Sequence, residues 1–156
     1  MIAMLRGQLA DKQPSCVVLD VGGVGYEVLI PLSTFDRLPA PGGECRLLIR
    51  HIVREDDELL FGFATEDERK LFNLLTTVSG VGPRLALCVL SGLTSNEFKR
   101  CVAEGDVKRL GTVRGIGRKT AERLVVELRD KVDPVEAMSL RTPAGTAPAA
   151  ETVMRD

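Results

Sequence analysis

The sequence predicts an α+β protein, with a small closed β-barrel followed by an all-α domain. Three observations carry this. Five short runs rich in Val, Ile and Leu, separated by turn clusters, fill residues 1–63. From residue 64 the apolar period changes from that of strands to that of helices. Within the helical part, the stretch 78–90 recurs at 113–125, an offset of 35 residues.

The strands are read at 2–9, 16–21, 26–30, 45–53 and 59–63. Gly22-Gly23-Val24-Gly25 sits between two of them as a tight hairpin connection, and Pro39–Gly43 and Arg54–Asp57 supply two further turns. Five short strands at this spacing suit a barrel of the oligonucleotide-binding (OB) type. In residues 64–132, Leu71, Leu74, Leu75 and Val78 fall at i, i+3, i+4 and i+7, and Ala121, Leu124, Val125 and Leu128 repeat that stripe. Leu85, Ala86, Val89 and Leu90 mark a short helix ended by Gly92. Thr94 or Ser95 is placed to cap another, carrying Phe98, Cys101 and Val102. Residues 133–156, with Pro134, Pro143, Gly145 and Pro148 in an Ala/Thr/Ser background, hold too little apolar surface to offset ordering entropy and predict a flexible linker or tail.

Composition bounds the function. The 156 residues are 44% hydrophobic and 28% charged, which suits a globular chain and excludes disorder throughout. No apolar run is long enough to span a bilayer, and Arg6 and Asp11 interrupt the N-terminal segment where a signal peptide needs an apolar core. The expectation is a soluble, cytoplasmic protein without membrane contact. A net charge of −1 hides an asymmetry: residues 1–63 carry −3, residues 64–132 carry +4 and residues 133–156 carry −2. A ligand meets the local field, so the helical segment is the place to seek an anionic partner.

The repeat supplies the chemistry. Val78-Ser79-Gly80-Val81-Gly82-Pro83-Arg84-Leu85-Ala86 aligns with Val113-Arg114-Gly115-Ile116-Gly117-Arg118-Lys119-Thr120-Ala121. An apolar residue followed by Gly-apolar-Gly makes a tight hairpin, whose glycines permit positive φ and close approach of a ligand. Val81 and Ile116 plug each hairpin into the core, and Ala86 and Ala121 are small enough for close helix packing. A helix begins directly afterwards, so its unpaired N–H groups and positive dipole end are presented to a phosphate. Arg84, Arg118 and Lys119 stand at the rim to add charge. This is a tandem helix-hairpin-helix, a pattern suited to sequence-independent contact with a nucleic-acid backbone. The bland alternative is two tight helix connections; two copies in register, each followed by a cation, weigh against it.

Other motifs are weaker. Gly22–Gly25 lacks the third glycine of a dinucleotide fingerprint, and Gly117-Arg118-Lys119-Thr120 lacks the adjacent Gly-Lys and the earlier glycine of a P-loop, where Thr112 stands. No ATP site is expected, and no cofactor. Cys16, Cys45, Cys88 and Cys101 form no C-x-x-C pair, and the single histidine, His51, has no neighbouring ligand, so no metal is expected. Cys16, Cys45 and Cys88 read as reduced core side chains. Arg54-Glu55-Asp56-Asp57-Glu58 concentrates four carboxylates in one turn. A solvated hairpin tip is the bland reading; a metal-dependent nuclease site is disfavoured because consecutive turn residues splay apart; repulsion of DNA phosphates is the third.

Taken together, these residues resemble the RuvA family of Holliday-junction-binding subunits. The resemblance covers residues 1–132 and rests on Leu5-Arg6-Gly7, Val21–Val28, Val53–Asp56, Leu60–Phe63, both hairpins and Lys119–Leu124. It implies an OB-fold domain at the centre of a homotetramer, with the octamer left open, and tandem hairpins gripping the minor-groove backbone of each arm of a four-way junction. The implied contacts are Arg54, Ser79, Gly80, Val81, Gly82, Arg84, Gly115, Ile116, Gly117, Arg118, Lys119, Thr120 and Arg123. Glu55 and Asp56 match the family's acidic pin at the crossover, which Asp57 and Glu58 would broaden. The ATP-driven motor is the partner RuvB, and the RuvC resolvase belongs to the same machinery, so the chain itself is expected to be non-catalytic. Ser79 stands where some members carry a longer polar side chain. The family continues beyond the linker into a small helical domain that contacts the motor; the sequence ends at Asp156, so junction binding is expected of it but motor contact through that domain is not.

Two rivals of other classes compete. A DNA glycosylase with lyase activity would use Lys119 as its Schiff-base nucleophile, activated by a helix N-terminus. It would also need a downstream aspartate and a base pocket; Asp130 and Asp133 come early, and with no Trp and one Tyr stacking residues are few. A generic duplex or single-strand binding module would leave the acidic turn without a role.

Overall fold

The computed structural model describes residues 1–131; the tail expected at 133–156 lies outside the described residues. The chain separates into two compact units, Met1–Asn73 and a second that begins at Leu74.

In the first unit, β1 (Met4–Gln13), β2 (Cys16–Val21), β3 (Val24–Leu29), β4 (Glu44–Val53) and β5 (Glu58–Phe63) close a barrel in the order β1-β2-β3-β5-β4. β1 is long because it pairs with β4 through its first half and with β2 through its second, and the register slips between Leu9 and Asp11. A bulge there bends the strand from one neighbour to the other. Closure is completed by a short parallel contact, Leu29 opposite Phe61. Leu5, Leu9, Val17, Leu19, Val28, Leu47 and Ile49 alternate inward and fill the barrel. A Cβ on Gly62 would fall 2.6 Å from a Val28 methyl, so a side chain there would push β5 off β3 at the closing seam.

The predicted strands are present within two or three residues of their ends, apart from β1, which runs on to Gln13. A one-turn helix, α1 (Leu32–Phe35), was not anticipated. It serves the next element. Ser33 and Thr34 donate to the buried carboxylate of Glu68 on α2 (Glu66–Leu75), which ties α2 to the barrel. Phe72 seats against Phe61 and Phe63, each with ring centroids 5.0 Å apart, and Arg69 donates to the Ala3 carbonyl. β structure therefore ends at Phe63, while the first unit extends through most of α2.

Beyond α2, the second unit holds α3 (Pro83–Gly92), α4 (Ser95–Glu104), α5 (Val107–Leu110) and α6 (Arg118–Leu128). Its core includes Val89, Phe98, Val102, Leu110, Leu124 and Leu128. Thr94 caps α4 in a complete capping box with Glu97, and Asp106 caps α5. Two expectations are corrected. Val78 does not continue the α2 stripe: the helix ends at Leu75, the Thr77 hydroxyl takes the Leu74 carbonyl, and Val78 opens the hairpin as a buried anchor. Of the cysteines, Cys101 is the buried one; Cys16, Cys45 and Cys88 are half-buried on the margins. Burial and the nearby Glu27 carboxylate push the Cys16 thiol up to about 11, so it stays protonated at neutral pH.

Candidate nucleic-acid interface

The two hairpins are built alike, bond by bond. Thr77 N–H donates to Leu74 O at 3.1 Å, and Thr112 N–H to Arg109 O at 3.1 Å. Val81 N–H donates to Val78 O at 3.0 Å, and Ile116 N–H to Val113 O at 3.1 Å. The Thr77 and Thr112 hydroxyls take the same carbonyls as their own amides, at 2.7 and 2.6 Å. The repeat therefore begins earlier than the alignment from Val78 suggests, at Leu75/Leu110 and Thr77/Thr112, whose identity at the same offset was legible in the sequence.

The glycines divide their duties. Gly80 (φ +91°) and Gly115 (φ +89°) hold a conformation that L side chains rarely adopt. Gly82 and Gly117 do not: with φ of −87° and −90° they are extended, correcting the expectation that both glycines of each hairpin supply positive φ. A Cβ on either would meet nothing within 4 Å. Neither backbone strain nor packing within the unit asks for glycine there; two reasons stand, the N-cap preference for glycine and room for something approaching from outside.

Gly82 and Gly117 are also the N-caps of α3 and α6, and neither helix start has a side-chain cap or an acidic residue in its first turn. α4 and α5, by contrast, are capped by side chains. The open amides of α3 and α6 are joined by Arg84 and by Arg118 and Lys119, all exposed in the first turn. Cations at a helix N-terminus oppose the dipole, at about 0.3–1 kcal/mol each. Two uncapped helix starts bearing cations on hairpins of matching backbone geometry favour an anion at each.

The remaining candidates differ in state. Ser79 is exposed, Thr120 half-buried, and Val81 and Ile116 are only 5% exposed, with their N–H groups donated to the Val78 and Val113 carbonyls. Arg118 Nε reaches Glu122 at 3.4 Å. Arg123 lies 3.8 Å from Glu127 and donates to Ser79 O at 3.4 Å. Arg84 and Lys119 have no such partner among the described residues, and neither has Arg114, which was missed. Arg114 is exposed and occupies the repeat position of Ser79, so the alignment itself was the signal. Leu74–Lys131 carries eleven basic and six acidic side chains, a net of +5.

Arg54 and the acidic turn belong to the first unit. The hairpin closes with Arg54 N–H on Asp57 O at 2.8 Å, the Arg54 guanidinium lies 3.7 Å from the Asp57 carboxylate, and Glu58 meets His51 Nε2 at 2.8 Å. Ile2 N–H donates to Nδ1 of the same ring, so Nε2 carries the proton that faces Glu58. Asp57 and Glu58 are engaged within the turn. Glu55 and Asp56 at its tip are exposed and have no partner among the described residues.

The fold is a closed β-barrel followed by a tandem helix-hairpin-helix, and the helical unit presents exposed cations at two uncapped helix starts. Comparison with known proteins is more particular. Residues 1–62 match the family described as RuvA N terminal domain, and residues 72–130 match the SAM-like helix-hairpin-helix tandem. Proteins named Holliday junction branch migration complex subunit RuvA are similar over most of the chain. That of Thioalkalivibrio sulfidiphilus is 55% identical over 150 residues, covering 96% of this chain and 74% of the relative. That of Syntrophotalea carbinolica is 56% identical over 143 residues (92% and 72%), and that of Rubrobacter xylanophilus 58% over 131 residues (84% and 67%). The chain belongs to the RuvA family.

Proposed function

We infer that this chain is the DNA-binding subunit of a Holliday-junction branch-migration complex, acting in recombination and DNA repair. It binds four-way junctions by structure and not by sequence. The observation that carries the reading is the pair of uncapped helix starts on hairpins of matching backbone geometry, each with an unpaired cation, Arg84 or Lys119, and an extended glycine that leaves room for a phosphate. Ser79, Gly80, Gly82, Arg84, Gly115, Gly117, Lys119 and Thr120 meet the backbone of each duplex arm, Arg114 extends the contact, and Arg118 and Arg123 join after leaving their glutamates. Val81 and Ile116 anchor the hairpins, with their amides engaged by the Val78 and Val113 carbonyls.

Four chains surround one junction, which brings eight carboxylates of Glu55 and Asp56 to the crossover, where like-charge repulsion turns phosphates away. Asp57 and Glu58 shape that turn through Arg54 and His51 without extending its free charge. The motor is a separate partner, RuvB, since the chain lacks a P-loop, and RuvC acts on the same junction. The work is cytoplasmic; among the described residues no helix is long and apolar enough to cross a membrane.

The test is a competition gel shift at moderate salt, with labelled four-way junction challenged by linear duplex of the same arm sequence. The junction should win by orders of magnitude. Equal competition would reduce the tandem hairpins to a generic backbone grip and remove the roles of acidic tip and tetramer. Borohydride trapping on abasic DNA should give no adduct at Lys119; an adduct would favour a lyase.

A further inference from the structure

The two halves of the repeat are not equivalent where they meet. A Cβ on Gly115 would lie 2.9 Å from Leu85 Cδ1, so α3 fills the space beside the second hairpin. The repeat partners of that pair are Gly80 and Thr120, and a Cβ on Gly80 would meet nothing within 4 Å. A groove of about 560 Å³ opens there, lined by Ser79, Gly80, Lys119, Glu122, Arg123 and Glu127 among others. In the first motif the positions of Glu122, Arg123 and Glu127 are held by Leu87, Cys88 and Gly92, which carry no charge.

Carboxylates in a groove meant for phosphate lower its affinity, and helix stability does not explain them. Both pairs place the arginine four residues before the glutamate, the weaker order for an i,i+4 pair. Each glutamate offsets the charge of an arginine that would otherwise face the ligand unneutralised. Arg123 is the more constrained, held by Glu127 on one side and by the Ser79 carbonyl on the other, with side-chain exposures of 51% and 38% for the pair against 85% and 52% for Arg118 and Glu122.

We propose that Glu127, and more weakly Glu122, set the affinity of this grip by holding Arg123 and Arg118 in pairs that an incoming phosphate must displace. The second motif thereby keeps part of its charge in reserve and releases the backbone more readily than its cations alone would allow. That suits a grip past which a duplex must move. The proposal rests on the backbone-binding reading above.

The experiment is a double-mutant cycle on junction binding, with Glu127→Gln, Arg123→Gln and both together, alongside Glu122→Gln and thermal melts to confirm folding. Glu127→Gln should tighten binding about two- to fivefold, the range open to an exposed pair, mainly through slower release. Glu122→Gln should change it less than twofold. In the Arg123→Gln background the gain from Glu127→Gln should fall by more than half. An unchanged or weakened affinity in Glu127→Gln overturns the proposal. So does a gain that is equal or larger without Arg123, because that is bare repulsion and not a reserved arginine. Lys119→Ala separates the two levels: if it weakens binding while Glu127→Gln has no effect, only this inference fails; if it too has no effect, the reading of the site fails.

Discussion

Alanine at the four hairpin glycines should separate folding from binding. At Gly80 the residue sits at φ +91° with open space around it, so alanine adds strain alone, about 1–2 kcal/mol. Gly115 carries the same strain plus a methyl 2.9 Å from Leu85 Cδ1; that atom ends a flexible side chain and shifts, so the cost is only slightly larger. Gly82 and Gly117 behave differently. Their extended φ accepts alanine, which gains about 0.4–1 kcal/mol by restricting the unfolded chain. As N-caps they lose roughly 0.5–1 kcal/mol, since glycine is the better cap. The two terms nearly cancel, leaving stability within about 0.5 kcal/mol of the parent. The added methyl nevertheless stands where the proposed phosphate would approach the open amides, and losing charge-assisted hydrogen bonds costs about 1.5–3 kcal/mol, roughly ten- to a hundredfold in Kd. Denaturant unfolding and fluorescence anisotropy on a labelled junction read the two axes separately. A Gly82→Ala variant that binds like the parent, or that unfolds as easily as Gly80→Ala, would refute the reasoning.

Four further outcomes are expected. Removing charge at Arg84 or Lys119 should weaken binding equally across sequences and flatten the slope of log K against log salt by about 0.9 per lost phosphate contact; an unchanged slope in Lys119→Ala takes that residue out of the site. Neutralising Glu55 and Asp56 together should leave junction affinity unchanged or tighter by the same assay, and markedly weaker binding would end the repulsion account. In α4, the Thr94 backbone N–H, aided by Arg109, holds the Glu97 carboxyl below its ordinary value of 4.5. Because the folded value lies below the unfolded one, its stabilisation is complete above pH 4.5 and is lost as pH falls through the folded value. The unfolding midpoints of parent and Glu97→Gln should therefore converge in acid, and a constant gap would contradict this; Thr94→Ala should cost about 1 kcal/mol at neutral pH.

Much of the molecule was legible in the chain because its signals are local. The strands announce themselves by short apolar runs between turn residues, and α4 by Thr94 or Ser95 ahead of Phe98, Cys101 and Val102, the structure deciding for Thr94 through its box with Glu97. Both hairpins follow from a repeat that needs only counting. The one-turn helices at 32–35 and 107–110 were missed because four residues show no period. Cys101 and Cys88 look alike in sequence, and only packing tells that the first is buried and the second marginal.

What sequence settles here is whatever depends on neighbours within a few residues: a barrel of five strands, a helical segment, two Gly-apolar-Gly hairpins and an acidic tip. Tertiary structure decides which of those features are free to act. Gly80 and Gly82 read as the same residue in the same motif, yet one supplies a strained turn and the other an open face. Arg84, Lys119 and Arg123 read as equivalent cations, yet only the third is occupied by Glu127 and the Ser79 carbonyl, 44 residues away. Four carboxylates in a row read as one charge run, yet Arg54 and His51 engage two of them and leave Glu55 and Asp56 exposed at the tip. Availability to a ligand depends on which groups already have partners, and those partners are brought together by the fold and not by their order along the chain.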